Sequence, residues 1–206
     1  MSSNKPYGTL VLIGRFQPLH NAHLEIIKRC TALTDQLVVI AGSANQPRTY
    51  KNPFTFDERA RMILAASAGL NMRVYVEPNI DTIYNDQAWA VRVQKIVSDA
   101  VYNKKGPGDF KIGVIGHKKD ESSFYLDMFP QWAFVNVDEI EPLSAVNIRD
   151  LFFKYNFNSN FIKNVVPETT YDFLMEFRKT EEFAQIVRER EFVEKYKQQY
   201  IRLATA

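Results

Sequence analysis

The chain has 206 residues, 46% of them hydrophobic, enough to bury one sizeable core. Its 26 Lys and Arg stand against 24 Asp and Glu, a net charge of +2 with the signs mixed along the chain, which argues against a nucleic-acid-binding stripe. The single cysteine, Cys30, cannot form an internal disulfide, the N-terminus "MSSNKPYG" lacks the apolar core of a secretory signal, and no apolar run nears the ~18 residues of a membrane span, so a cytoplasmic protein is expected.

In chain order, short β-branched runs alternate with longer helical patterns. "TLVLIG" leads to a helix over 22–34, "QLVVIAG" to one over 56–68, "MRVYVE" to one over 86–103, "FKIGVIG" to a short helical stretch, and "WAFVNV" to a helix from Ser144. Near-continuous apolar strands separated by helices predict a doubly wound, Rossmann-like α/β fold with a parallel sheet covered on both faces. Thr55 with Glu58 forms a T-x-x-E capping box, and Ser144 is read as an N-cap. From about Pro167 two amphipathic helices follow, "ETTYDFLMEFRKT" and "EEFAQIVREREFVEKYKQQYI". The chain thus divides into an α/β unit, 1–166, and a helical extension, 167–206, that packs on the sheet or on another subunit; a homo-oligomer is left open.

In this architecture ligands sit beyond the carboxyl ends of the strands, here the loops after Gly14, Gly42, Glu77 and Gly116 and the turn before Ser144. No G-x-G-x-x-G follows the first strand and no P-loop motif occurs, which argues against an ordinary dinucleotide oxidoreductase and a P-loop NTPase. Instead "LVLIGRFQPLHNAHLEIIKRC" places His20 and His23 on one face of a helix's first turn, where free N–H groups and the helix dipole favour an anion such as phosphate. The bland alternative is a decorated surface turn. A metal site is not expected, since the pair has no nearby cysteine or obvious third ligand. "SAVNIR" offers a second anion grip through Ser144 and Arg149, or else an ordinary helix start. Two phosphate grips point to a triphosphate. Arg48 and Arg59 are further phosphate candidates, with an intrahelical surface pair as the alternative for Arg59. Trp89, on an apolar helix, reads by itself as core. Gly116 permits close backbone approach at the fourth strand's end, beside His117 and Lys118.

"GRFQPLHNAH" resembles the G-R-F-Q-P-x-H-x-x-H signature of archaeal-type nicotinamide mononucleotide adenylyltransferases, and "LSAVNIR" resembles that superfamily's I-S-x-T-x-x-R motif. "NPFTFDERARMI", "YNDQAWAVRVQ", "GHKKDESSFYLDMFPQW" and "FVEKYKQQY" extend the likeness over nearly the whole chain, toward the adenylyltransferase half of bifunctional adenylyltransferase/Nudix proteins. The resemblance implies formation of NAD and pyrophosphate from nicotinamide mononucleotide and ATP with Mg²⁺, without a covalent intermediate. It implies a catalytic set of His20, His23, Arg15 and Arg149, and an ATP site of these four with Gly14, Phe16, Gly116, His117, Ser144 and Ile148. It implies Asp81, Asn85, Trp89, Arg48 and Arg59 for the mononucleotide, with Trp89 stacking on the nicotinamide ring. Two positions depart from the pattern: Ala22 replaces a glycine and Val146 a threonine. "REREFVEKY" has neither the glycine nor the spacing of a Nudix helix, so no Nudix hydrolysis is expected. The rivals are a related transferase using nicotinate mononucleotide, pantetheine phosphate or a sugar-alcohol phosphate, and a non-catalytic NAD- or ATP-sensing module.

Overall fold

The computed structural model describes residues 5–82, 85–105, 111–117, 121–138, 144–154 and 157–204, with 102–105, 121–124 and 198–204 described by backbone only. Five strands, β1 (Thr9–Gly14), β2 (Gln36–Ala41), β3 (Arg73–Pro78), β4 (Ile112–Gly116) and β5 (Ala133–Asn136), form one sheet in the order β3-β2-β1-β4-β5. Every pairing is parallel, and the register sets Gly14 beside Ala41 and Gly116 beside Asn136. The chain reverses its direction of travel across the sheet between β1 and β4. The crevice beyond the carboxyl ends there is where such sheets bind ligands.

Alternation along the strands divides the core. Leu10, Leu12, Leu37 and Val39 face one layer, with α1 (Asn21–Cys30), α2 (Phe56–Ser67) and α4 (Ala145–Phe152). Val11, Val38 and Ile40 face the other, with Ala90, Val93 and Val97 of α3 (Asp86–Lys105) and with Phe129, just after the 3₁₀ helix Glu121–Met128. Each fully buried aliphatic side chain is worth roughly 1.5–3 kcal/mol. This two-sided burial is why the strands read as unbroken apolar runs. Both predicted caps form: Thr55 accepts from the Glu58 amide at 3.4 Å while Glu58 accepts from the Thr55 amide at 2.8 Å, and Ser144 accepts from the Val146 amide at 3.1 Å.

Boundaries differ in places. The first helix ends at Cys30 rather than 34, because residues 31–34 turn back on the last carbonyls before β2, with both Leu33 and Thr34 donating to the Cys30 carbonyl. The two helices expected after Pro167 form as α6 (Glu168–Phe177) and α7 (Glu181–Ala204), and a further helix that the sequence reading did not include, α5 (Ser159–Val165), capped by Asn158, precedes them. Leu174, Phe177 and Ile186 of α6 and α7 belong to the same buried cluster as β1 and β2. An aromatic set joins them to α4, with Phe54 5.1 Å from Phe177 and Phe153 stacked on Phe183 at 5.2 Å.

Candidate active site

Beyond β1 the chain makes a tight turn. A Cβ on Gly14 would fall 2.9 Å from the ring of Phe16, and Phe16, buried, has φ of 51°; the Gln17-Pro18 peptide that follows is cis. The turn delivers His20 as the N-cap of α1. The His20 amide donates to His23 Nδ1 at 3.4 Å, so the neutral His23 ring carries its proton on Nε2. The two imidazoles stack at 3.6 Å, and Phe16 lies 4.8 Å from His23. Burial pushes His20 down to about 4 and holds His23 well below the ordinary histidine range, helped there by His20. Both rings are therefore neutral donors at pH 7. Among the described residues, buried His20 Nδ1 has no hydrogen-bond partner. Unlike α2, whose first turn holds Asp57 and Glu58, α1 has no acidic residue in its first turn, so its dipole awaits an outside anion.

Three guanidinium groups surround this turn. Arg15 is exposed at its start. Arg149, from α4, is buried; it donates from Nη1 to the Gln17 carbonyl at 2.8 Å, and its Nε has no partner among the described residues. Arg59, from α2, is 1% exposed and donates from Nη1 to the carbonyls of Arg15 at 2.8 Å and Gly42 at 2.7 Å, and from Nε to Thr55 at 3.2 Å. Burial and then the nearby Arg15 lower Arg149; burial lowers Arg59 to about 10, with Asp81 opposing and Arg15 adding. Both Arg59 and Arg149 remain charged at neutral pH. None of the three makes a salt bridge among the described residues, so the positive field is left for a ligand.

A cavity of about 580 Å³ opens beside the turn, lined by Gly14, Arg15, Gly42, Ser43, Asp81, Asp86, Trp89 and Tyr125, while His20, His23, Ser144 and Arg149 are not among its lining residues. That volume suits a nucleotide-sized guest. Trp89 is half-buried and meets Tyr125 edge-on at 6.0 Å and Phe129 at 6.2 Å, so it is both a core residue and a cavity wall. Asp81 accepts from Gln46 Nε2 at 3.2 Å, which ties the loops after β2 and β3 together. His117 ends β4 with Nδ1 2.9 Å from the Val137 carbonyl; the carbonyl can only accept, so Nδ1 carries the proton. A Cβ on Gly116 would press on Leu126 at 3.2 Å.

The structure does not gather every expected residue into this space. Arg48 is engaged by a bidentate pair with Glu58, 2.7 Å on each arm, and by the Pro53 carbonyl at 2.7 Å, and it lies outside the cavity lining. Arg59 faces backbone, in neither a surface pair nor the cavity lining. The Asn85 Oδ1 caps α3, accepting from the Ala88 amide at 2.9 Å. Ile148 is fully buried under α4, while Val146 is exposed. Lys118 lies outside the described residues. Sequence reasoning missed Tyr125 as a wall and Gln17 as a buried link, although Gln17 sits inside the quoted motif.

A model of cytidylyltransferase-like proteins matches residues 11–163. The chain belongs to the cytidylyltransferase-like family. Within it, the chain is 37% identical over 179 residues to the nicotinamide/nicotinic acid mononucleotide adenylyltransferase of Acinetobacter baylyi, covering 86% of this chain and 90% of that one. Its fold matches a bifunctional NMN adenylyltransferase/ADP ribose pyrophosphatase from Francisella tularensis with a TM-score of 0.81 at 30% identity, covering 95% of this chain but 57% of that chain. A second crystal structure of the Francisella protein, complexed with AMP and a manganese ion, matches with a TM-score of 0.80 at 27% identity. The cavity lies over the carboxyl ends of β1, β2 and β3, closed by Trp89 of α3 and by Tyr125 of the 3₁₀ helix, and no helix among the described residues is long and apolar enough to cross a membrane.

Proposed function

We propose that the protein is a nicotinamide-nucleotide adenylyltransferase, forming NAD and pyrophosphate from nicotinamide mononucleotide and ATP. One observation carries the reading: two neutral imidazoles stand at the start of α1, and Arg15 and Arg149, neither in a salt bridge among the described residues, flank the turn that leads to it, which also borders a cavity lined by Trp89 and Tyr125. The named activities of the relatives above support it. In the reaction the acceptor's phosphate oxygen bonds to the α-phosphorus in line as the bond to the β-phosphate oxygen breaks, and pyrophosphate leaves. The enzyme's work is to place two anions and to offset charge where it develops. His23 donates from Nε2, with His20 beside it; Arg15 and Arg149 neutralise phosphate oxygens with Ser144 at the start of α4; Gly14, Phe16, Gly116, His117 and Ile148 shape the backbone around ATP. Trp89 and Tyr125 receive the nicotinamide ring, and Asp81 and Asn85 the ribose or carboxamide. Arg59 and Arg48 support these loops from behind.

No group of three or more His, Cys, Asp or Glu among the described residues forms a metal cage. Mg²⁺ therefore fits as a companion of the triphosphate, whose oxygens supply its ligands, rather than as a resident ion. Residues 1–166 form the catalytic unit and 167–206 its helical brace, in a protein placed in the reducing cytoplasm, where a lone buried Cys30 stays a thiol. The test is pyrophosphate release from ATP with a panel of acceptors. Turnover greatest with nicotinamide mononucleotide supports the proposal. A preference for nicotinate mononucleotide or phosphopantetheine selects a related transferase, and ATP or NAD binding without turnover on any acceptor selects the sensor.

A further inference from the structure

We propose that Gln17 is the positioning residue of the triphosphate end, holding Arg149 and the segment before α2 in register with the turn after β1 while touching no substrate. The inference rests on the adenylyltransferase reading above. Gln17 is 2% exposed. Its Nε2 donates to the Phe54 carbonyl at 2.8 Å, and its Oε1 accepts from the Phe54 amide at 2.9 Å. Its own carbonyl accepts from Arg149 Nη1 at 2.8 Å. One residue thus joins three stretches of chain: its own turn, the segment before α2, and α4, which lies 132 positions further on.

Among the side chains as they stand at neutral pH, a carboxamide meets both needs at once. Phe54 presents a donor and an acceptor on one residue, so the partner must accept and donate side by side, which neither an apolar chain nor a carboxylate does. Arg149 depends on the result: one of its amino nitrogens is spent on the Gln17 carbonyl and its Nε has no partner among the described residues, so the turn's backbone fixes where the rest of the guanidinium aims. Phe54 in turn is wedged between Phe173 at 5.8 Å and Phe177 at 5.1 Å, so its main chain has a rigid seat against which Gln17 can lock the turn. The neighbours leave little slack. Phe16 stands at φ 51° with its ring filling the space a Gly14 side chain would take.

Two variants test this. Gln17→Met keeps length and apolar bulk but leaves the Phe54 amide and carbonyl unpaired, and should raise the KM for ATP about tenfold or more while the KM for nicotinamide mononucleotide changes less than about twofold. Gln17→Glu gives the sharper readout. The carboxylate accepts but cannot donate, whereas the protonated acid does both, and burial raises a carboxyl's pKa. The ratio of variant to wild-type kcat/KM for ATP should therefore climb back toward one as pH falls from about 8 to about 6. A flat ratio, or a Gln17→Met enzyme with a lower melting temperature but unchanged constants, would overturn the proposal. Should Gln17→Met fail to fold, the Gln17→Glu pH profile decides by itself. If wild-type protein releases no pyrophosphate, the functional reading has failed instead, and ATP affinity by calorimetry across the same variants and pH range still tests Gln17.

Discussion

His20 and His23 show how burial chooses a chemical role. Stacked at 3.6 Å, two imidazolium rings would repel, and their burial keeps both neutral, so they act as hydrogen-bond donors rather than fixed charges. Removing a donor aimed at developing charge costs on the order of 10²–10³ in kcat. His23→Ala is accordingly expected to lose turnover by that factor with an unchanged circular dichroism spectrum; near-normal turnover would return the histidine to a surface turn. The same burial makes a stability prediction. A folded-state value near 4 against 6.5 when unfolded means that the unfolded chain binds more protons between those pH values, so this contribution is complete above 6.5 and is lost as pH falls toward 4. The loss is on the order of 3 kcal/mol. Urea midpoints should fall over that range in the wild type and fall less steeply in His20→Asn. Trp89 makes a third case, since the sequence offered core or stacking and the structure places it at the boundary of both. Ring stacking of roughly 1–3 kcal/mol corresponds to about ten- to a hundredfold in affinity. In a Trp132→Phe background, which removes the second indole signal, Trp89 fluorescence should respond to nicotinamide mononucleotide, and Trp89→Ala should raise that KM and barely move the one for ATP. A lower melting temperature with unchanged constants would make Trp89 a core residue alone.

At the scale of elements, Arg59 shows what one helix contributes to two strands. From α2 it reaches the carbonyls that end β1 and follow β2, so a single guanidinium pins both loops that wall the cavity. Arg59 holds those two carbonyls from Nη1 and the Thr55 carbonyl from Nε, whereas a lysine is shorter and has a single nitrogen for all three. Arg59→Lys should leave at least one of those carbonyls unpaired, lower stability by about 1–3 kcal/mol in urea denaturation, and reduce kcat/KM for both substrates, whereas a direct phosphate ligand would affect ATP alone. Strand order of types, the capping box at Thr55 and the cap at Ser144 were legible because each is written in local pattern: apolar runs, a T-x-x-E spacing, a serine before a helix. Helix α5 was not read, although Asn158 caps it, because seven residues are too few to display a helical period. Arg48 shows the other limit. Its carboxylate partner Glu58 lies ten positions away, and nothing in the spacing separates a bidentate tie at 2.7 Å from a phosphate ligand.

For the whole molecule, the helical extension is part of the site's support rather than a separate body. Arg178 at the end of α6 donates to the Phe152 carbonyl at 2.9 Å and lies 3.9 Å over Phe157, while Arg190 of α7 stands 3.6 Å from Asp150 and over the ring of Tyr50, whose hydroxyl donates to that same Asp150. These contacts brace α4, which carries Arg149, and the loop before α2. Amphipathic helices were legible from their periodicity; their docking on α4 was not, because it depends on rings brought together from distant segments. The cavity brings one cation, Arg15, together with the carboxylates of Asp81 and Asp86 and the rings of Trp89 and Tyr125. The most direct test is to incubate wild-type protein with ATP, nicotinamide mononucleotide and Mg²⁺ and to quantify NAD and pyrophosphate together. Equal amounts of both, rising with time and absent when either substrate is omitted, are the expected result; tight binding of NAD or ATP with neither product formed would contradict it.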